Sequence, residues 1–164
     1  MIEFAAWKVK KLLNRLAKHA CGDLLSLSKQ VVVGESKILI PGVTEPVSVR
    51  LVANRNMKYH GFFLPGKICV YSEGRSKNET LSTLVHEMRH AQQFAFLGEK
   101  TFYKDCSSMF CTAVEIDAVA VQLALKCSNP YNELKRIATP DIRRVIKTIE
   151  QICRTHSREL QIEL

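Results

Sequence analysis

The segment His86-Glu87-Met88-Arg89-His90 restricts the fold of this 164-residue chain more than any other feature of its sequence. Residues four positions apart on an α-helix lie one turn apart on the same face, so the two imidazoles can bind one ion. Glu87 lies about 100° round the helix, where its carboxylate can reach a metal-bound water without being a ligand. With 5 His and 12 Glu in 164 residues, about 0.01 such motifs are expected by chance. The segment therefore predicts a metal site on a helix.

Secondary-structure signals frame this helix and place it after a run of strands. Ser76 with Glu79 matches a capping box, and the helix is predicted to end at Phe96 or Leu97, just before Gly98. The predicted strands are Gln30–Val33, Lys37–Ile40, Val47–Val52 and Lys67–Tyr71, and the other predicted helices cover 3–19, about Thr112–Lys126 and the segment after Pro140. Strands followed by helices predict an α+β fold. No linker or repeat divides residues 1–164, so we expect one domain.

Composition and charge describe a globular chain whose basic character lies near its start. The net charge is +8, of which residues 1–60 carry +6 (10 basic, 4 acidic) and residues 61–164 carry +2 (14 basic, 12 acidic). This composition excludes collagenous, coiled-coil and disordered chains. Lysines interrupt the first apolar positions, which argues against a signal peptide, and no apolar run approaches the roughly 18–20 residues of a transmembrane span. We therefore expect a cytoplasmic protein.

A catalytic zinc site needs a third protein ligand and leaves its fourth position to water. Gln93 and Phe96 stand where an extended metzincin motif requires Gly and His, which excludes that class. We expect Glu115 to be the third ligand, because it opens an otherwise apolar helix where a carboxylate facing the core requires a cation. The alternative role of Glu115 is that of a favourable acid in the first helical turn. The competing ligands are Asp117, Asp105, His156 and a cysteine.

The remaining polar residues of the motif helix have less defined roles. Arg89 flanks the ligand face on the side opposite Glu87, and we expect it either to pair with an acid such as Asp117 or to be solvated. Gln92 and Gln93 are predicted to lie on the helix surface. The six cysteines form no CxxC pair, and only Cys106 and Cys111 are close enough in sequence for a local disulfide or a metal contact.

The pattern His86-Glu87-x-x-His90 followed by Glu115-x-Asp117-Ala118 resembles the zincin-like metallopeptidases of the gluzincin kind. Over about residues 59–126 it is most similar to small prokaryotic and phage-type members, the ImmA/IrrE-like and SprT-like proteins. Val119 stands where ImmA-like proteins carry Asn or Asp, and SprT-like proteins use a third His in place of the glutamate.

This resemblance implies a particular version of the α+β fold. The active-site helix packs on a small twisted, mainly antiparallel sheet, with N-terminal and C-terminal helices around it, and the third ligand comes from a following helix. An edge strand, here about Lys67–Ser72, lines the substrate cleft.

Together these features predict a zinc-dependent peptidase acting on a protein or peptide substrate. Zn²⁺ on His86, His90 and Glu115 would lower the pKa of its bound water and polarise the substrate carbonyl. Glu87 would accept the proton of that water and pass it to the leaving amine. Mn²⁺ or Fe²⁺ would also accept this ligand set. The developing oxyanion needs a further donor, and the candidates are Tyr71, Tyr103, Tyr59 and His60.

The basic start of the chain supports an alternative function. Residues 1–20 are predicted to form a basic amphipathic helix, in which Lys8, Lys10 and Lys11 lie near Phe4 and Trp7. Such a helix can bind nucleic acid or an anionic membrane surface, or it can simply present a solvated face. The alternative is therefore a DNA-associated or membrane-peripheral binding protein with a structural or inactive zinc site. A third hypothesis, which the sequence neither supports nor excludes, is a toxin-like effector peptidase.

Overall fold

The computed structural model describes residues 11, 12, 14–16, 19, 22–54, 59–103 and 109–124. Residues 11, 12 and 14–16 are helical and lie inside the predicted helix 3–19, whereas the helix predicted after Pro140 lies outside the described residues. The further elements are α1 (Leu24–Lys29), β1 (Gly34–Ile38), β2 (Val47–Val52), β3 (Gly61–Leu64), β4 (Lys67–Tyr71), α2 (Lys77–Leu97), α3 (Glu99–Tyr103) and α4 (Met109–Ala124). Four strands followed by long helices confirm the α+β class.

The four strands form one mixed sheet in the order β1-β2-β4-β3. β1 is antiparallel to β2, β2 is parallel to β4, and β3 is antiparallel to β4, so two of the three pairings are antiparallel as expected. The expectation that Lys67–Ser72 forms an edge strand is wrong, because β4 lies between β2 and β3. The cause is a hairpin that sequence reasoning missed. Pro65-Gly66 turns the chain back with Gly66 at φ 76°, so that Leu64 pairs with Lys67 and β3 becomes the edge.

The first part of the chain also departs from the prediction. Gln30–Val33 is not a strand, and the side chains of Val32 and Val33 are exposed after α1. β1 begins at Gly34, where φ is 108°, and ends two residues before the predicted limit at Ile40. The β-branched residues of the predicted strand favour extended backbone, but they find no neighbouring strand to pair with in the described chain. The short helices α1 and α3 escaped detection because five or six residues show too little periodicity.

Helix α2 lies at the centre of the molecule. It packs against β3 and β4 on one side and against α4 on another, and α1 adds a further contact. The core of these elements includes Val49, Ile68 and Val70 from the sheet, Leu84, Val85 and Met88 from α2, and Ala113, Ile116 and Ala120 from α4. As a result, every residue from 82 to 93 is buried. Among the described residues, no helix combines the length and the apolar character that crossing a bilayer requires.

Candidate metal centre

The cap at the start of α2 fixes where its residues lie. The Ser76 hydroxyl accepts a hydrogen bond from the backbone N–H of Glu79 at 3.2 Å, and the Glu79 carboxylate accepts one from the backbone N–H of Ser76 at 2.7 Å. These two bonds form the predicted capping box, and they satisfy two N–H groups that the helix itself leaves unpaired. The helix then runs to Leu97 and ends at Gly98, with φ 76°, as predicted. The histidines of the motif therefore occupy the middle of a continuous 21-residue helix.

The two histidines of α2 converge on the carboxylate of Glu115 from α4. His86 Nε2 lies 2.9 Å from Glu115 Oε2, and His90 Nε2 lies 3.1 Å from Glu115 Oε1. The two Nε2 atoms are 3.0 Å apart. Both imidazoles are buried, while the Glu115 side chain is 44% exposed, so solvent reaches the group from the α4 side. The predicted ligands thus form a group that could hold a metal ion.

Two glutamines orient the imidazoles so that their Nε2 atoms face Glu115. Gln122 Nε2 donates to the backbone carbonyl of Ser82 at 2.8 Å, so its Oε1 is the atom that faces His86 Nδ1, at 3.1 Å. Gln93 Nε2 donates to the backbone carbonyl of Val114 at 2.8 Å, so its Oε1 faces His90 Nδ1, at 2.7 Å. An amide oxygen only accepts, and therefore each imidazole carries a proton on Nδ1.

The protonation of both imidazoles at Nδ1 determines whether His86, His90 and Glu115 can bind a metal ion. With Nδ1 protonated, a neutral imidazole presents a bare lone pair at Nε2. The lone pairs of His86 and His90 and the negative charge of Glu115 then face one another at distances of about 3 Å. Such an arrangement is stable only if protons or a cation lie among the three groups. A tetrahedral zinc with bonds of about 2.0–2.1 Å spaces its ligand atoms by roughly 3.3 Å. The donor set and its spacing therefore fit a zinc ion, with hydrogen bonds of the kind that usually support metal-bound histidines.

His90 and Glu115 shift each other's pKa in opposite directions. Burial lowers the pKa of His90, but the hydrogen bond and the charge of Glu115, aided by Glu87 and Gln93, outweigh it and raise this pKa to about 9. Burial raises the pKa of Glu115, but its hydrogen bonds to His86 and His90 hold it well below the usual range. These opposite shifts favour an ionised Glu115 beside a protonated His90.

Glu87, the predicted base, is buried beside the histidines on the same helix. Its residue is 7% exposed. Burial raises the pKa of its carboxyl and the nearby Glu115 charge adds to this, whereas His90 and His86 act in the opposite direction. A carboxylate whose pKa moves toward neutrality is better suited to accept and return a proton.

Asp117, a competing ligand, serves a different purpose. Arg89 Nε donates to Asp117 Oδ2 at 2.7 Å and Arg89 Nη2 to Oδ1 at 3.3 Å, and both side chains are fully buried. Arg89 also donates to the Gln92 side chain at 2.9 Å and to the backbone carbonyl of Leu16 at 3.2 Å. Of the two roles expected for Arg89, the pairing with Asp117 is confirmed and the solvated position is wrong. The pair joins α2, α4 and the helical residues near the start of the chain.

The prediction that Gln92 and Gln93 lie on the helix surface is wrong. Neither residue has solvent exposure. Gln92 donates to the backbone carbonyl of Pro41 at 2.8 Å, and Gln93 donates to Asp117 Oδ2 at 2.7 Å in addition to its contact with His90. Because the sheet, α1 and α4 enclose α2 on several sides, polar residues on its flanks are buried and form internal hydrogen bonds.

The role of the two glutamines as histidine partners was missed at the sequence level. Gln122 follows Glu115 by seven residues on α4, which places both on one helix face, and it interrupts the apolar run around Val121. A buried amide in such a run requires a partner, and that signal could have identified it. Gln93 lies three residues after His90 on the same helix, within reach of its ring.

The residues predicted to stabilise the oxyanion lie in different places. The Tyr103 ring contacts Phe102 and Phe94 with centroids 5.2 and 6.0 Å away, and Phe102 lies 6.2 Å from His90. Tyr71 ends β4 opposite Val52, and Tyr59 and His60 are exposed just before β3. Asp105, His156 and Cys106 lie outside the described residues, as does the side chain of Cys111. The oxyanion role of Tyr71 or Tyr103 stays a prediction.

Three comparisons with known proteins found no match to this chain. No protein-family model, curated protein or solved structure matches this chain. The resemblance to zincin-like metallopeptidases thus rests on the residues of the motif alone.

Proposed function

We propose that this chain is a zinc-dependent peptidase in which His86, His90 and Glu115 hold the ion and Glu87 is the general base. The observation that carries the proposal is the convergence of both Nε2 atoms on one carboxylate, within 2.9–3.1 Å. The spacing of the two histidines and the intervening Glu87 is the arrangement used by metallopeptidases, in which the glutamate is not a ligand. Two imidazoles and a carboxylate are also a ligand set that catalytic zinc uses.

The chemistry divides between the ion and the protein. When bound, zinc supplies Lewis acidity, which polarises the scissile carbonyl and makes water more acidic. Glu87 takes the proton of the attacking water and returns it to the leaving amine, so that its carboxylate is regenerated in each cycle. Gln93 and Gln122 keep the imidazoles in the tautomer that presents Nε2 to the ion. Glu115, half-exposed, lies on the side from which a peptide can approach.

A tyrosine hydroxyl is the proposed donor to the developing oxyanion. Tyr103 is favoured over Tyr71, because its ring belongs to the aromatic group that includes Phe102 beside His90. Its side chain is 40% exposed, which leaves room for a substrate to contact it. If Tyr103 donates in this way, Tyr103→Phe lowers kcat far more than it changes KM.

The test of the proposal separates metal binding from hydrolysis. Purified wild-type protein and the Glu87→Gln variant are assayed for bound zinc by mass spectrometry and for cleavage of an unfolded protein and a mixed fluorogenic peptide library. We expect both to bind one zinc per chain, and Glu87→Gln to hydrolyse at least about 100-fold more slowly. Glu99→Gln, an exposed glutamate just after α2, is the matched control and should cleave like the wild type.

Two outcomes contradict the proposal in different ways. Full hydrolysis by Glu87→Gln would exclude Glu87 as the base. A wild-type protein that binds zinc through Glu115 but cleaves no peptide would have a structural metal site, as in the alternative of a binding protein.

A further inference from the structure

The outer edge of β1 combines a backbone that pairs with no other described strand with exposed apolar side chains. β1 pairs with β2 on one side, and within the described ranges no strand pairs with its other side. Such an edge presents free N–H and C=O groups that can pair with another strand. Val33 and Leu39, just beyond the two ends of β1, are 68% and 61% exposed. Exposed apolar residues beside a free edge mark a surface suited to a partner strand.

The charges of β1 alternate on its solvent face. Glu35 and Lys37 are exposed, whereas Ser36 between them is half-buried and Ile38 is buried, so the odd-numbered side chains face solvent. The Ser48 hydroxyl donates to the Glu35 carboxylate, and Arg50 of β2 lies directly opposite Glu35. The solvent face of this strand thus carries one negative and one positive side chain, two positions apart.

We propose that β1 of a second copy of this chain pairs antiparallel with β1 across a two-fold axis at Ser36. In this register Glu35 of each copy lies opposite Lys37 of the other, so the interface contains two identical pairs of opposite charge. Val33 lies opposite Leu39 at each end, which brings together the exposed apolar side chains described above. The strand is self-complementary in both charge and hydrophobicity.

Neighbouring registers lack this complementarity. Residues that face each other in two paired strands have their side chains on the same side of the sheet. A two-fold axis perpendicular to the sheet must therefore lie midway between two copies of the same residue, which pair with each other. Centring on Glu35 would place two glutamates opposite each other, and centring on Lys37 would oppose two lysines. Like charges directly opposite one another are destabilising. Among these three registers, only the one centred on Ser36 pairs opposite charges.

The dimer leaves the candidate metal centre accessible. α2 packs on β3 and β4, at the end of the sheet opposite β1, so the interface joins the two sheets into eight strands without touching the ligands. This inference does not depend on the proposed peptidase function.

Charge exchange tests the interface, using sedimentation equilibrium of the full chain. We expect a reversible wild-type dimer, and a dissociation constant raised about tenfold or more in K37E, where the introduced carboxylate of each copy faces Glu35 of the other. The double variant E35K/K37E exchanges the two charges and should dimerise like the wild type. An equimolar mixture of K37E and E35K should form heterodimers more readily than either variant forms homodimers. A monomeric wild type, or a dimer insensitive to these changes, overturns the proposal.

Disulfide trapping tests the register. In the proposed pairing the two Ser36 Cα atoms are about 4.5–5.5 Å apart, within the range that a disulfide spans. The two Glu35 Cα atoms are about 8 Å apart, beyond it. Under mild oxidation, S36C should give a covalent dimer in greater yield than the wild type, and E35C should not. Equal or greater cross-linking of E35C would exclude the register centred on Ser36.

Discussion

Arg89 and Asp117 form a buried ion pair that also supports a histidine of the candidate metal centre. Asp117 Oδ2 accepts from Arg89 Nε and from Gln93 Nε2, both at 2.7 Å. Gln93 in turn contacts His90 Nδ1 at 2.7 Å. The ion pair therefore fixes the side chain that orients His90, and damage to the pair should affect both the fold and the metal centre.

Removing the carboxylate of this pair should be costly. Asp117→Leu leaves the Arg89 guanidinium buried without its counter-charge, and we expect the free energy of unfolding to fall by about 3–5 kcal/mol. The double variant Arg89→Met with Asp117→Leu should regain much of this loss, because no buried charge remains. Urea denaturation of the single and double variants measures both effects. A loss below about 1 kcal/mol for Asp117→Leu would show that water reaches the guanidinium.

The hydrogen bond that Gln122 accepts from His86 should strengthen metal binding. Gln122→Met keeps the length of the side chain but removes the acceptor for His86 Nδ1–H, so the imidazole can turn or change tautomer. We expect the zinc affinity to fall about 10- to 100-fold, measured by competition with a chelating dye. Gln92→Met is the matched control, since Gln92 is equally buried but bonds to Pro41 and Arg89. Equal losses of affinity in both variants would point to a general effect on folding.

The metal-free protein should lose stability as the pH rises. The pKa of His90 is raised from 6.5 to about 9 in the folded chain, so the folded state binds this proton more tightly than the unfolded state. This stabilisation is complete below the unfolded pKa of about 6.5 and is lost as the pH passes through about 9, a change on the order of 3 kcal/mol.

Glu115→Gln provides the control for this pH dependence. Without the carboxylate, the pKa of His90 should fall, because its two largest raising contributions are lost, and the loss of stability between about pH 6.5 and 9 should shrink. Urea denaturation of the chelator-treated wild type and Glu115→Gln at several pH values makes the comparison. Identical pH profiles for the two proteins would contradict a proton shared between His90 and Glu115.

Two glycines with similar positive φ should differ in their tolerance of alanine. Gly42 and Gly66 have φ of 81° and 76°, and an alanine at either position carries a backbone penalty of about 1–2 kcal/mol. A Cβ at Gly42 would also lie 2.7 Å from the ring of Phe96, which stacks on His19, whereas a Cβ at Gly66 meets nothing within 4 Å.

We therefore expect Gly42→Ala to destabilise the protein by about 1–3 kcal/mol more than Gly66→Ala. Thermal or urea unfolding of the two variants measures the difference. If the two losses are equal, the Phe96 ring moves aside without cost.

The sequence predicted best what depends on neighbouring residues. The capping box at Ser76, the end of α2 at Leu97 and the shared face of His86 and His90 follow from spacings of three and four residues, which a helix converts directly into geometry. Glu115 could be chosen because a carboxylate in an otherwise apolar helix needs a cation. Each of these predictions required only the residue spacing within one helix, or that spacing together with the cost of burying a charged side chain.

Features that depend on how elements pack together were not accessible in this way. The hairpin from β3 to β4 makes β4 an inner strand. Because β3 has only four residues, its sequence shows too little periodicity to predict this pairing. Gln92 and Gln93 have the polarity of surface residues, and only the enclosure of α2 by its neighbours determines that they are buried. Long-range packing decided these outcomes.

The position of Glu115 in the chain also sets the order in which the residues of the candidate metal centre are synthesised. Glu115 follows His90 by 25 residues. At a synthesis rate of about 5–20 residues per second, the carboxylate is made roughly 1–5 s after the second histidine. During this interval the nascent chain contains both histidines but not Glu115, which is made only with α4. The full ligand set therefore exists only once α4 has been made.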